Sequence, residues 1–152
     1  MTKSLPLVLG SLLVLVGVGC CLVRPLPAPP VSVFAGRWTG EARFLERALA
    51  AEYGALAVEL ECGADGTFAG SLGGVALADW EALAFESGGL ELRASLAGDV
   101  VTGGSLAAQD QRRVVLLLFP ERDGRRAGNL HLKSNFVFDP LMRVGALKLL
   151  RE

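Results

Sequence analysis

Short segments that alternate apolar and polar residues follow one another along the chain after residue 33, and they constrain its fold strongly. "GRWTGEARF" places Trp38, Ala42 and Phe44 on one face and polar side chains on the other. "ALAVELEC" repeats the pattern, with Leu56 and Cys62 on the apolar face. A period of two residues is typical of a strand that buries one face. These segments are therefore predicted to be half-buried strands.

Tight-turn sequences such as "GADG" and "ESGG" separate the alternating segments. In "EALAF" the apolar face is Leu83 and Phe85, and in "NLHLKSNFVF" the apolar face is Leu130, Leu132, Phe136 and Phe138. One exception, "FLERALAAEYG", has apolar residues at helical spacing and is predicted to form a short helix or a long loop between the first two strands. The pattern predicts an all-β fold, an antiparallel up-and-down meander that closes into a small barrel of about eight to ten strands.

The segment "RRVVLLLF" is apolar on both faces, which sets it apart from the other predicted strands. A strand that is covered on both sides, or that contacts another chain, would have this composition. Val114, Leu116 and Leu118 are therefore predicted to form an interaction face.

Residues 1–23 form an apolar segment behind a short charged start. The run from Leu5 to Val23 is long enough for a helix that spans a bilayer, and its charged start and small residues also fit an export signal. "LVGVGCC" is similar to the lipobox of bacterial lipoproteins, although Gly17 departs from the usual pattern. This resemblance implies lipidation at Cys20; an uncleaved signal-anchor helix and ordinary signal cleavage stay open as alternatives.

All three readings of the leader place the domain outside the cytoplasm, in a bacterial cell envelope, with the membrane contacted through the N-terminal segment. Residues 24–33 follow the leader and contain "RPLPAPPV", whose prolines favour an extended chain over a packed sheet. The sequence thus predicts a leader over 1–23, a proline-rich linker over 24–33 and a β-barrel domain over 34–152.

The residue inventory of the domain gives little support for catalysis. His131 is the single histidine and falls on a polar strand face, and Cys62 is the single cysteine of the domain and falls on an apolar face. A serine triad and a metal site both need convergent groups that this pattern does not supply. No catalytic, cofactor-binding or metal-ligating residue is predicted.

Charge is distributed unevenly along the domain. Residues 31–110 hold twelve acidic and four basic side chains, whereas residues 111–152 hold four acidic and nine basic ones. A nucleic-acid-binding protein would combine a dominant basic patch with aromatic stacking residues, and this combination is not evident. The basic cluster in "ERDGRRAG" is interpreted as a solvated hairpin tip that turns at Gly124. No nucleic acid is expected as a partner.

The two ends of the domain resemble small barrels of the lipocalin and calycin kind. Gly36 and Trp38 form the Gly-x-Trp triplet of the first strand, and Arg151 lies on the last predicted strand in phase with Leu147 and Leu149. The resemblance implies that Arg151 packs over Trp38 and closes the barrel floor. The domain departs from the family in being shorter and in lacking the common disulfide, and a shorter barrel leaves less room for a cavity.

Three classes of function follow from these observations. The first is a non-catalytic, envelope-anchored barrel that interacts with a protein partner. The second is a carrier or sensor of a small hydrophobic ligand, which the lipocalin resemblance implies. The third is an enzyme. Because the predicted interior holds almost no polar groups to orient a small molecule, the interaction module is favoured.

A Cys20→Ser variant separates the readings of the leader. If Cys20 is lipidated, processing depends on this residue, and fractionation should find the variant unprocessed or released from the membrane. If residues 1–23 are a signal-anchor helix, the variant should stay in the membrane at unchanged length. Recovery of the full-length wild-type chain in the soluble cytoplasmic fraction would contradict both readings.

Overall fold

The computed structural model describes residues 27–100, 113–133 and 141–152, which form a closed barrel of antiparallel strands. Each strand pairs with the next one along the chain, and the first strand pairs with the last. The strands are β1 (Gly36–Phe44), β2 (Ala55–Cys62), β3 (Phe68–Leu72), β4 (Val75–Ala84), β5 (Leu90–Leu96), β6 (Arg113–Leu118), β7 (Arg125–Lys133) and β8 (Leu141–Arg151). A 3-10 helix (Val31–Phe34) precedes β1, and helix α1 (Arg47–Tyr53) connects β1 to β2.

The predicted all-β antiparallel meander that closes into a barrel is confirmed, with eight strands in the sheet. The predicted short helix is α1. The leader over 1–23 with Cys20, the predicted strand "VVTGGSLAA" for nearly all its length, and Phe136 and Phe138 lie outside the described residues. None of the helices formed by the described part of the chain has the length and hydropathy needed to cross a bilayer.

Most of the side chains that point into the barrel are aliphatic. Along β2, inward residues are buried and outward residues are exposed in strict alternation, which is the periodicity that the sequence displays. The completely or almost completely enclosed side chains come from most of the strands and from α1: Leu49, Val58, Leu72, Leu90, Leu92, Leu116, Leu130, Leu132, Leu147 and Leu149. This set forms one continuous core.

Both ends of the barrel carry an apolar plug. The 3-10 helix before β1 inserts Phe34 at the end where β1 begins, and Val31 packs against the same core. At the other end Leu49 of α1 is buried, and the Tyr53 ring lies edge-on to Phe44 with ring centroids 6.3 Å apart. Residues 31–33, which were predicted as linker, are therefore part of the plug and of the domain.

The β1–β8 pairing closes the barrel and brings the two ends of the domain together. Its register runs from Trp38 opposite Arg151 to Phe44 opposite Gly145. Gly40 lies in the middle of this seam, and any side chain there would collide with the backbone carbonyl of Lys148. The seam therefore requires glycine at position 40, since the two backbones cross too closely for a Cβ atom.

The β3–β4 pairing is short and ends in an irregularity. The two strands pair over three residues, from Leu72 opposite Val75 to Gly70 opposite Leu77. A β-bulge between Ala78 and Glu81 then shifts the register of β4 against β5. The bulge contains Asp79, whose φ is 52°. From this point β3 and β4 diverge, which leaves a split in the barrel wall.

The bulge also reverses the predicted facing of the end of β4. Leu83 was predicted to share a buried face with Phe85, but its side chain is 55% exposed. Ala82 packs against the core and Ala84 is buried, so these small residues hold the inward positions instead. A single inserted residue in an alternating strand exchanges the two faces, and this accounts for the difference.

Candidate functional site

Trp38 lies at the closed end of the barrel, here called the floor, which consists of Phe34, Trp38, Glu121, Arg126 and Arg151. The Trp38 side chain is 3% exposed, and its indole N–H donates to the backbone carbonyl of Phe34 at 3.2 Å. The guanidinium carbon of Arg151 lies 4.7 Å from the centroid of the Trp38 ring. Gly36 begins β1 beside this contact with a φ of 133°, a conformation that favours glycine. The structure thus brings Gly36, Trp38 and Arg151 together.

A second arginine occupies the floor more deeply than Arg151. Arg126 of β7 is 5% exposed, and its guanidinium carbon lies 4.6 Å from the Phe34 centroid and 5.0 Å from the Trp38 centroid. Its Nη1 donates to the backbone carbonyl of Phe119 at 2.9 Å and to that of Gly88 at 3.3 Å. A cation that contacts aromatic faces away from water gains more than the same contact does at the surface.

Glu121 joins the two arginines across the floor. Its Oε2 lies 3.1 Å from Arg151 Nη2 and 3.7 Å from Arg126 Nη2. Burial lowers the pKa of Arg126 and Arg151 adds to this effect, whereas the Glu121 carboxylate opposes it. An arginine keeps its charge under such conditions, and Glu121 is the carboxylate that neutralises it. The floor is therefore a compact charged network between two aromatic rings, and it holds the barrel end closed.

Arg126 was missed in the sequence, where it was interpreted as part of a solvated hairpin tip. The hairpin is present, with Asp123 and Gly124 at its turn. However, Arg126 is in phase with Leu130 and Leu132, both of which point inward. Counting back by twos from these leucines would have assigned Arg126 to the barrel interior.

The interior next to the floor leaves very little open space. A cavity of about 10 Å³ is lined by apolar side chains together with Arg126. A volume of this size holds one water molecule at most. The Nε atom of Arg126 is buried, and no group among the described residues accepts its proton. The packed core around the floor has no room for a small-molecule ligand of ordinary size.

The predicted interaction face on β6 is wrong. Val114, Leu116 and Leu118 are buried inside the barrel, with exposures of 0%, 0% and 3%. The outward residues of this strand are Val115, which is also buried, and Leu117, which is partly exposed. The strand β6 is therefore apolar on both faces because it is covered on both sides. The three predicted residues do not form an open docking face.

His131 lies on the outer surface beside Val115, as the alternation predicts, but it is half-buried. Its Nε2 is enclosed and has no hydrogen-bond partner among the described residues. Burial lowers the pKa of His131, the nearby Arg143 lowers it further, and Glu91 opposes this change.

Cys62 is buried, as predicted, and its thiol is free. Burial raises the pKa of the thiol, and the Asp65 carboxylate adds to this effect. A raised pKa keeps the sulfur protonated and unreactive at neutral pH. Among the described residues, no group of three histidine, cysteine or acidic side chains is arranged to hold a metal ion.

Two open grooves lie on the outer surface, one on each side of the split between β3 and β4. The first has a volume of about 190 Å³ and is lined by Arg37, Glu59, Leu60, Glu61, Ala69 and Gly70. The second has a volume of about 130 Å³ and is lined by Glu81, Ala82, Leu83, Glu91 and Arg93. Both have a larger volume than the interior cavity, and each is lined by two glutamates and one arginine.

Comparisons with protein-family models, with curated proteins and with solved structures find no match to this chain.

Alanine substitutions in the floor are expected to rank by burial. Trp38→Ala should lower the free energy of unfolding by about 3 to 5 kcal/mol because it removes a buried aromatic ring. Arg126→Ala should cost about 2 to 4 kcal/mol, since it leaves buried carbonyls and Glu121 with fewer partners. Arg151→Ala should cost about 1 kcal/mol. Urea denaturation measures each value, with Arg37→Ala as the exposed control.

A double-mutant cycle on Trp38 and Arg151 tests their contact directly. A coupling energy of roughly 0.5 to 1 kcal/mol is expected for a partly exposed guanidinium over an indole. A coupling energy of zero would show that Arg151 does not contribute to closure. In the alanine series, Arg126→Ala should lower the free energy of unfolding more than Arg37→Ala does. An equal or smaller loss would contradict the role assigned to Arg126.

The acid sensitivity of the fold is expected to depend on His131. Because the pKa of this histidine is lower in the folded protein, the unfolded chain binds the proton more tightly. The free energy of unfolding should therefore fall as the pH drops below about 6.5. Denaturation at about pH 7.5 and about pH 5.5 measures this loss. His131→Gln should reduce it and Asn129→Gln should not; an equal loss in both variants would contradict the assignment.

Proposed function

We propose that this protein is a non-catalytic, envelope-anchored β-barrel that binds a protein partner through its outer surface. The observation that carries the proposal is the tight packing of the core beside the floor. Aliphatic side chains occupy the barrel, plugs cover both ends, and the cavity beside the floor measures about 10 Å³. Recognition by a barrel of this kind must take place on its outside, since ligand pockets generally have volumes of about 300 Å³ or more.

The floor supports a lipocalin-like relationship within this proposal. The barrel is an eight-stranded meander, and at one end of it the tryptophan of the Gly-x-Trp triplet contacts the arginine of the last strand. Carriage of a small hydrophobic ligand, which the resemblance implies, would require a larger cavity than the one of about 10 Å³ beside the floor. A lipocalin-like scaffold used for its surface fits both the resemblance and the packing.

Anchoring rests on the sequence of residues 1–23 and the cysteine at position 20. The described chain begins at residue 27 and reaches the floor through the 3-10 helix. In this proposal the leader therefore attaches to the floor end of the barrel. The outer strand faces and the opposite end would remain accessible to a partner in the envelope.

Two measurements on the full chain test the proposal. Native mass spectrometry from detergent should find no lipid or other small molecule bound in a fixed ratio. Photo-crosslinking residues placed at outward positions 39, 83, 117 and 148 should give a discrete adduct with another protein in the native envelope for at least one position, whereas inward Leu116 should give none. A stoichiometric apolar ligand together with no protein adduct would favour the carrier and overturn the proposal.

A further inference from the structure

Within the described residues, the wall of the barrel has an open backbone edge at the split between β3 and β4. Beyond Leu77, no described residue pairs with the side of β4 that faces β3, although β4 continues to Ala84 and pairs with β5 over Glu81–Ala84. Within a closed barrel every strand normally has two partners, and an unpaired edge is a template for another strand. The 3-10 helix approaches this part of β4, but no hydrogen bond joins the two among the described residues.

The orientation of the free groups follows from the hairpin that joins β4 to β5. The N–H of Phe85 donates to the carbonyl of Gly89 at 2.9 Å, so this is a hydrogen-bonded pair. Hydrogen-bonded and non-hydrogen-bonded pairs alternate along an antiparallel ladder. Leu83 therefore bonds to β5, whereas the backbone groups of Ala84 and Ala82 point away from β5 into the split. Each of these two alanines presents an N–H and a C=O to a further strand.

The surface around the split is acidic. The chain has no lysine, arginine or histidine between Arg47 and Arg93, so β2, β3 and β4 contain no cation. The exposed carboxylates here are Glu59, Glu61, Asp65, Asp79, Glu81 and Glu86. Hydrogen bonds from the side chain and backbone of Thr67 lower the pKa of Asp65, which keeps this carboxylate charged. Arg93, the nearest cation on β5, lies 2.7 Å from Glu91 and 4.0 Å from Glu81.

We infer that the edge of β4 at Ala82 and Ala84 binds an extended, basic segment of a partner protein, which adds a strand to the sheet. This inference rests on the proposed function and names its site and the chemistry of its partner. Hydrogen bonds between the backbone of the added strand and the two alanines supply affinity, as in other cases of strand addition. Lysine or arginine side chains on the added strand meet the carboxylates on both sides of the split, and the two outer grooves receive alternate side chains.

Among the described residues, this edge has no backbone hydrogen-bond partner and lacks the usual protective side chains. Natural sheets protect an exposed edge with proline, with lysine or with a covering loop. Here the edge carries small alanines, and the bulge at Asp79 bends the strand away from β3. Leu83, at 55% exposure, and Glu81, with a side chain 76% exposed, flank Ala82 on the outside. They give the added strand one apolar and one anionic contact.

Peptide binding to the full chain, kept in a mild detergent, tests the inference. The probe is an eight-residue peptide of alternating lysine and valine, compared with its alternating glutamate and valine counterpart by fluorescence anisotropy. The basic peptide should bind at least about tenfold more tightly. Ala82→Pro removes the edge N–H without touching the β5 ladder and should weaken binding about tenfold. Ala82→Ser keeps the N–H and should leave binding unchanged, as should Glu52→Gln on α1.

Hydrogen exchange of the wild-type chain supplies a readout that does not depend on how the proline variant folds. Addition of the basic peptide should protect the amides of Ala82 and Ala84, while the amide of Leu83, already bonded to β5, should change little. Equal binding by Ala82→Pro and Ala82→Ser, protection confined to other strands, or no binding of the basic peptide would each overturn the inference. Crosslinks from positions away from β4 would in that case still support the proposed function.

Discussion

A guanidinium enclosed between two aromatic rings holds the closed end of this barrel, and the rest of the structure depends on it. Arg126 extends from β7 beneath Phe34 of the N-terminal plug and Trp38 of β1, and Glu121 connects it to Arg151 of β8. The network thus links the plug, the first strand and the last two strands. A buried charge is costly unless it is paired, so the arrangement requires all of these elements to be in place together. Closure of the barrel and burial of Arg126 are therefore one cooperative event.

A well-sealed barrel has consequences for where binding can occur. In a wider barrel the interior is the usual place for a ligand, and the outer face is free to vary. Here the leucine-rich core packs tightly beside the floor, and the proposed function therefore relies on backbone edges, grooves and charge on the outside. The split between β3 and β4 is the position where these three features coincide. The bulge at Asp79 is the local cause, because it separates the strands that would otherwise pair.

Period-two alternation was sufficient to predict the class of fold and most inward positions, because burial of one sheet face imposes that period on the residues. It also placed Trp38 and Arg151 on the same side of the wall. The sequence prediction failed where a bulge changes the period and where a residue type common at the surface is in fact buried. Leu83 was assigned to the wrong face because a bulge leaves no reliable mark in a single sequence, and Arg126 was overlooked because an arginine near a hairpin tip resembles a solvated residue. The apolar character of both faces of β6 was recognised, but the pattern alone does not reveal that Val114, Leu116 and Leu118 point into the core.

The β1–β8 seam joins residues that are more than a hundred positions apart in the chain. No fragment that lacks β8 can bury Trp38 or pair the free side of β1, so a growing chain has no stable barrel to form until β8 is available. Folding must then proceed with the two most distant strands meeting last or together with the core, a topology associated with slow folding. Until that moment both edges of an open sheet are exposed. The incomplete chain is consequently more prone to self-association than the native barrel. Any delay in the synthesis of β8 prolongs the lifetime of this incomplete chain.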